Sequence, residues 1–457
     1  MTSVKQLTVA EFPTYEEYKD SGVEWLGEVP KEWVVKRFSD SFKFDRGLNI
    51  TKANLIEEGV PCINYGEVHS KYGFEFSPTN HPLKAVELRY LETNRNSLLY
   101  QGDFIFADTS EDLEGSGNFS QLVADEQVFA GYHSIICRPT GIKNKRFLAY
   151  CLESISFRNQ IRQQVKGVKV YSITQSILKN TKIWLPSEPE QALIAQFLDQ
   201  KTALIDQAIA IKKQQIKLLN ERKQIIIQQA VTQGLNPNAP MKDSGVEWIG
   251  KIPEHWEVKK AKYLFYEVDE RSTTGAEELL SVSHTTGVTP RSEKNVNMFL
   301  AENYAGSKLC EKHDLVMNTM WAWMGALGVS KQIGIVSPSY AVYRQKQRGI
   351  FNDIYLEYLL KSTKYVELYN KVSTGLHSSR LRFYSHKFFS MKIGFPSYEE
   401  QTKIVAYLQK STKKVEHYIE HQKQQIQALK EYRTTLINSA VTGKIKITEA
   451  MLAETKE

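Results

Sequence analysis

The peptide KDSGVEWLGEVPKEW, Lys19 to Trp33, returns 223 residues later as KDSGVEWIGKIPEHW, Lys242 to Trp256, with its first seven residues unchanged. A repeat at that distance implies a duplicated architecture, and it constrains the fold more than any local pattern does. A second pair lies further along each half. LPSEPEQALIAQFLDQ (Leu185–Gln200) matches FPSYEEQTKIVAYLQK (Phe395–Lys410) at an offset of 210, and the match continues to QQAVTQG (Gln228–Gly234) against NSAVTGK (Asn438–Lys444). The offsets differ by 13, so the second body is 13 residues shorter. Each half reads as a marker peptide, a variable body and a long shared segment: two different heads on a common mount.

The long segments are expected to be helices. Ser187-x-x-Glu190 and Ser397-x-x-Glu400 have the spacing of capping boxes, and Pro189 suits a first turn. No Pro or Gly follows before Thr232 or Thr442. About 45 helical residues span about 65–70 Å. Apolar residues recur at heptad spacing: Ile205, Ile209, Ile216, Leu219, Ile226 and Ala230, matched at offset 210 by Val415, Ile419, Ile426, Leu429, Leu436 and Ala440. Lys212 and Lys223, then Gln422 and Arg433, interrupt the seam with polar groups, which restricts register. The sustained, duplicated pattern predicts that the two helices pair.

The bodies read as mixed α and β. GDFIFADTS (Gly102–Ser110), HSIICRP (His133–Pro139), HDLVMNTM (His313–Met320) and SYAVYRQ (Ser339–Gln345) have strand composition. Lys145–Gln164 and Asp353–Val372 each read as an amphipathic helix. A basic or polar loop follows in each body, KGVKVYSIT (Lys166–Thr174) and STGLHSSRLRFYS (Ser373–Ser385). The expected divisions are a connector at 1–34, a first body at 35–186, a central helix at 187–233, a second connector at 234–257, a second body at 258–396, a C-terminal helix at 397–443 and a tail at 444–457. The fold class is α+β: two duplicated mixed bodies and two long helices that pair.

Composition excludes some classes. The net charge of +7 over 457 residues permits a polyanionic partner without demanding one. Cys62, Cys137, Cys151 and Cys310 are far apart, which suggests buried thiols rather than a zinc ribbon or a disulfide framework. The polar, acidic start MTSVKQLTVAEFPTYEEYKD does not read as a signal peptide, and no run approaches 18 apolar residues, so a cytoplasmic protein is expected. No two of the 14 prolines are adjacent, so the Asn/Asp-Pro-Pro-aromatic signature of amino-group DNA methyltransferases is missing. No phosphate loop occurs, and GSGNFS (Gly115–Ser120) reads as a surface loop. HYIEH (His417–His421) fits an inverted zincin pattern. Its duplicate, Gln207 to Ile211, has no ligand, and it lies beside the helix seam; no metal site is expected.

Taken in order, the two KDSGVEW markers, the LPSEPEQ and FPSYEEQ helix starts, the AVT helix ends and DLVMNTMWAWMGALGVS (Asp314–Ser330) resemble the specificity subunits of type I restriction-modification systems. The resemblance covers nearly the whole chain. It implies two target-recognition domains separated by the two long helices in an antiparallel coiled coil, each domain reading one half of a bipartite site in double-stranded DNA, with a spacing set by the helices. It implies no catalysis and no cofactor in this chain. S-adenosylmethionine would belong to two modification subunits that methylate adenine N6, and ATP and Mg to two restriction subunits. Such reading needs side chains on base edges, with Lys and Arg on phosphates. The candidates are Lys166, Lys169 and Tyr171 in the first body, and Asn318, His377, Arg380, Arg382 and Tyr384 in the second. Trp321 and Trp323 alternate like strand residues and are expected in the core, as are the four marker tryptophans, Trp25, Trp33, Trp248 and Trp256. The alternatives are a coiled-coil adaptor that reads no DNA, which predicts no salt-dependent duplex binding, and a self-sufficient modifying enzyme, against which the missing motifs stand.

Overall fold

A computed structural model describes residues 12–167, 169–294, 303–375 and 381–453. The chain divides into two units. The first comprises 1–211 with 424–457, and the second 212–423. Each unit therefore holds one body and one end of each long helix.

Each body has its own sheet, with a common strand order. In the first, strands Phe42–Arg46, Ser134–Pro139, Phe104–Ala107 and Phe119–Leu122 lie in that order, with Phe74–Phe76 added at the edge. In the second, Phe265–Val268, Ala341–Gln345, Leu315–Met317 and Leu327–Val329 repeat the order. The middle strands are buried on both faces. Phe104 and Phe106 join the core under the helices, while Ile105 and Ala107 join a second core on the opposite face. Leu315 and Met317 separate from Val316 in the same way. Alternate residues face opposite sides of a strand, so a two-sided burial gives the unbroken apolar runs seen in the sequence.

Each expected amphipathic helix is in fact two. Lys145–Glu153 is followed by Ile155–Arg162, and Asp353–Leu360 by Thr363–Val372. The breaks fall at Ser154 and Ser362, both in extended backbone, and Ser154 Oγ accepts from the Phe157 N–H. Serine is a strong start signal, and here it restarts the helix.

The long helices run Glu188–Gln233 and Tyr398–Val441, and within each unit they pack antiparallel. Ile205, Ile209 and Leu436 are buried together in the first unit, with Ile426 and Leu429 against them. In the second unit, Ile226 packs on a core that includes Ile404 and Leu408. The polar seam positions find partners: Lys212 Nζ lies 3.3 Å from Gln422 Oε1, Lys223 Nζ 2.5 Å from Glu416, and Arg433 Nε 3.5 Å from Asp206. The last two pairs are images of each other at the 210-residue offset, so the duplication extends to the ion pairs across the seam.

The marker peptide is a hairpin. Tyr18–Asp20 pairs with Glu28–Pro30, and Met241–Asp243 with Lys251–Pro253. The following strands, Val34–Arg37 and Glu257–Lys260, pair with Lys182–Leu185 and Lys392–Phe395, which lead into the long helices. Trp33 and Trp256 are fully buried there. Their indole N–H groups donate to Glu190 Oε1 at 3.3 Å and Glu400 Oε1 at 3.2 Å. These glutamates are the ones expected to reach back in a capping box; their carboxylates instead hold the marker. The neighbouring glutamines also act alike, Gln191 donating to the Pro186 carbonyl and Gln401 to the Pro396 carbonyl. In the second unit the central helix runs directly into its marker through Gly234, φ +76°. In the first, the join is non-covalent: Tyr18 Oη donates to the Gly443 carbonyl, and the Lys446 N–H to the Pro13 carbonyl.

Candidate nucleic-acid interface

The central strands of the two sheets present equivalent ends. Each begins at a left-handed residue, Gly102 (φ +87°) or His313 (φ +78°). A buried aspartate follows. Asp103 accepts from the Tyr100 N–H at 3.0 Å and lies 3.5 Å from Arg138. Asp314 accepts from the Glu311 N–H at 2.8 Å and takes a two-pronged bond from Arg344, at 2.8 and 2.9 Å. Burial raises the Asp103 carboxyl above its ordinary pKa, and the Tyr100 N–H and Arg138 oppose that shift.

At their other ends these strands hold the basic loops. The Ile173 N–H donates to the Asp108 carbonyl at 2.7 Å, and the Phe383 N–H to the Thr319 carbonyl at 2.9 Å. Thr109–Ser110 pairs with Tyr171–Ser172, and Thr374 bridges Arg382. Tyr171–Ile173 in the first body and Arg382–Phe383 in the second therefore join equivalent strand ends.

Lys166 and Lys169 are exposed and Tyr171 is half-buried. Arg382 is exposed, as is Tyr384, whose ring stacks on His386 with centroids 5.9 Å apart. His377 and Arg380 lie outside the described residues. Asn318 is only 6% exposed. Its amide nitrogen donates to Tyr340 Oη at 3.0 Å and its oxygen accepts from the Met320 N–H at 3.2 Å. Both ends of its amide are engaged within the protein, so Asn318 holds this turn together. Trp321 departs from expectation in the opposite sense. It is 47% exposed, in a turn that continues into a 3-10 helix at Ala322–Met324.

Further residues gather at the first body's strand end. His133, in the left-handed region at φ +54°, places Nδ1 3.2 Å from Asp108 Oδ1, with the Tyr65 and Tyr132 rings packed edge-on to its own. A non-glycine residue with positive φ at such a place is a conformation that the surroundings must impose. Nothing in the local sequence signals it.

Among the described residues no group of three or more His, Cys, Asp or Glu side chains is placed to hold a metal, and His417 and His421 are exposed on the C-terminal helix. All four cysteines are buried free thiols. No described helix is long and apolar enough to cross a membrane. The site offers cations, aromatic rings and amide or hydroxyl groups on a rigid sheet end, a chemistry suited to holding and reading a polyanion.

Residues 30–221 match the family model described as the type I restriction modification DNA specificity domain. The chain is 24% identical over 441 residues to the type I restriction enzyme MjaVIII specificity subunit of Methanocaldococcus jannaschii, spanning 92% of this chain and 94% of that protein. It is 24% identical over 440 residues to the putative type I restriction enzyme MjaX specificity subunit of the same organism, at 92% and 96%. Among solved structures, a chain from work on complex assembly and conformational transition of the type I R-M system aligns with a TM-score of 0.65 at 16% identity, covering 90% of this chain and 98% of that one. The crystal structure of the HsdS subunit from Thermoanaerobacter tengcongensis aligns with a TM-score of 0.50 at 16% identity, covering 91% and 98%. At these identities the structural likeness concerns the fold.

Proposed function

We propose, from the premise that this chain is a specificity subunit of the type I restriction-modification family, that its two bodies each read one half of a bipartite site in double-stranded DNA. The observation that carries this reading is the pair of equivalent strand ends, which hold unlike loops on like scaffolds. Lys166, Lys169 and Tyr171 serve the first half-site. Arg380, Arg382, His377 and Tyr384 serve the second. Asp108, held by His133, adds an acceptor suited to a cytosine amino group. The long helices set the spacing between half-sites and offer docking faces to two modification subunits. Those subunits bring S-adenosylmethionine and methylate adenine N6; two restriction subunits add ATP- and Mg-dependent cleavage. This chain performs no chemistry of its own.

The test is a pair of single substitutions in the complex with the modification subunit. Arg382→Ala should relax or weaken recognition of one half-site, and Lys169→Ala that of the other. Equal weakening of both halves by either change, or no effect from both, would sink the assignment.

A further inference from the structure

The hairpin tip after the central strand is where the two bodies differ most in chemistry. In the first body this tip, 108–118, reads DTSEDLEGSGN and carries Asp108, Glu111, Asp112 and Glu114. In the second, 319–326 reads TMWAWMGA and carries no charge at all. Carboxylates repel phosphates, so an acidic tip can approach a duplex only where an amino group on a base edge receives it. An aromatic tip has no such restriction and can stack on any base.

The aromatic tip is rigid. Leu315–Met317 and Leu327–Val329 pair beneath it. The Trp321 N–H donates to the Asn318 carbonyl at 3.0 Å, and the Ala326 N–H returns to the Trp321 carbonyl at 3.2 Å. Gly325 closes the turn at φ +79°, so close to Val366 that an added Cβ would lie 3.2 Å from that side chain. The Trp323 ring lies nearly parallel to Trp321, 22° between planes and 5.8 Å between centroids, and its indole N–H is tied to the Met320 carbonyl at 3.0 Å. Trp323 thus stacks beside Trp321, which stays 47% exposed. Met324 beside it is also exposed. Thr319, at the base of the tip, holds both the Ser339 carbonyl and the Phe383 N–H. That places the tip beside Arg382 and Tyr384.

We propose that Trp321, backed by Trp323, is a stacking contact of the second body with the DNA bases: an apolar wedge set against one base step of its half-site, with no counterpart in the first body. This rests on the reading that the second body binds duplex DNA. An exposed ring on a rigid, uncharged tip has the form of an architectural wedge. It would favour an easily unstacked step, and so contribute specificity without reading a base edge.

The experiment uses the complex with the modification subunit and the duplex identified by methylation mapping. 2-Aminopurine is placed singly through the second half-site and its flanks. Wild-type complex should brighten the target adenine position, which the modification subunit extrudes, and one further position at the wedge. Trp321→Ala should abolish only the second brightening and weaken binding about tenfold, the scale of one lost base–aromatic stack, while Trp321→Phe retains most of both. The thermal midpoint should be unchanged, because the ring is half exposed. Binding within twofold of wild type for Trp321→Ala, or weaker binding with no brightening position in the wild type beyond the target adenine, overturns the wedge while leaving half-site reading intact. Failure of the wild-type complex to bind any duplex overturns the underlying reading, and the wedge with it.

Discussion

The indole N–H of Trp184 donates to the carbonyl of Val441, the last residue of the C-terminal helix. In the second unit the equivalent carbonyl, that of Val231, takes its bond from Tyr355 Oη at 3.2 Å. Gly394 stands in the strand position of Trp184, and Phe147 in the helix position of Tyr355. Each body thus fastens to the same point on the mount with a different aromatic donor. A donor lost at one position has been replaced from another, which explains how the bodies diverge while the mount stays alike.

Tyr355→Phe should therefore cost about 1 kcal/mol, one hydrogen bond's net worth, and Trp184→Ala about 3–5 kcal/mol. Gly394→Ala should be close to neutral, because its Cβ would meet Ile252 at an ordinary 3.7 Å. Urea unfolding of the three variants measures this. A neutral Trp184→Ala, or a costly Gly394→Ala, contradicts it.

The marker peptide should do the same work twice. Trp33→Phe and Trp256→Phe each remove an indole donor from a helix-start glutamate, at an expected cost of about 1.5 kcal/mol apiece for a bond to a charged acceptor. Thermal unfolding of the two variants gives the comparison. One large effect beside one negligible effect would mean that the two copies have different roles.

Arg344→Ala leaves Asp314, 1% exposed at its side chain, as a buried carboxylate without its two-pronged partner. The expected loss is about 3–5 kcal/mol. Arg138→Ala removes the partner of buried Asp103 together with bonds to Asp45 and to the Asn96 and Leu98 carbonyls, so a loss of similar size is expected. Denaturant midpoints of the two variants measure both losses, and a loss under about 1 kcal/mol for either contradicts the geometry.

The thiols should be silent. Burial pushes Cys310 up to about 11 and Cys62 and Cys151 up to about 12, and raises Cys137 well above its ordinary value. A raised pKa keeps the thiol protonated at pH 8.5, and only the thiolate reacts. Iodoacetamide at that pH should label none of the four in the folded chain and all four in urea. Rapid labelling of any one in the native chain contradicts its burial.

Much of this architecture was legible in the sequence because duplication is a long-range signal that local ambiguity cannot mask. Heptad spacing points to Ile205, Ile209 and Leu436, which are buried together; the strands around Phe104 and Leu315 follow from their β-branched and aromatic composition. The exceptions are side chains whose partners lie far off in the chain. Glu190 has the spacing of a capping residue, and only the fold brings Trp33 to it. Asn318 has the chemistry of an adenine reader, yet Tyr340, 22 residues on, takes its amide. Trp321 alternates with Trp323 as strand residues do, but the strand ends at Met317 and both lie in the turn that follows. Ser154 and Ser362 split helices that their apolar periodicity would continue.

If this chain chooses the DNA sequence that its partner modifies, methylation must depend on it. Modified-base sequencing of a methylation-free host expressing this chain with its modification subunit, against the modification subunit alone, tests that dependence. N6-methyladenine is expected on both strands of one bipartite motif, with an unspecified spacer, only when this chain is present. Methylation of the same sites without it, or of a short continuous motif with it, would show that this chain is not the reader.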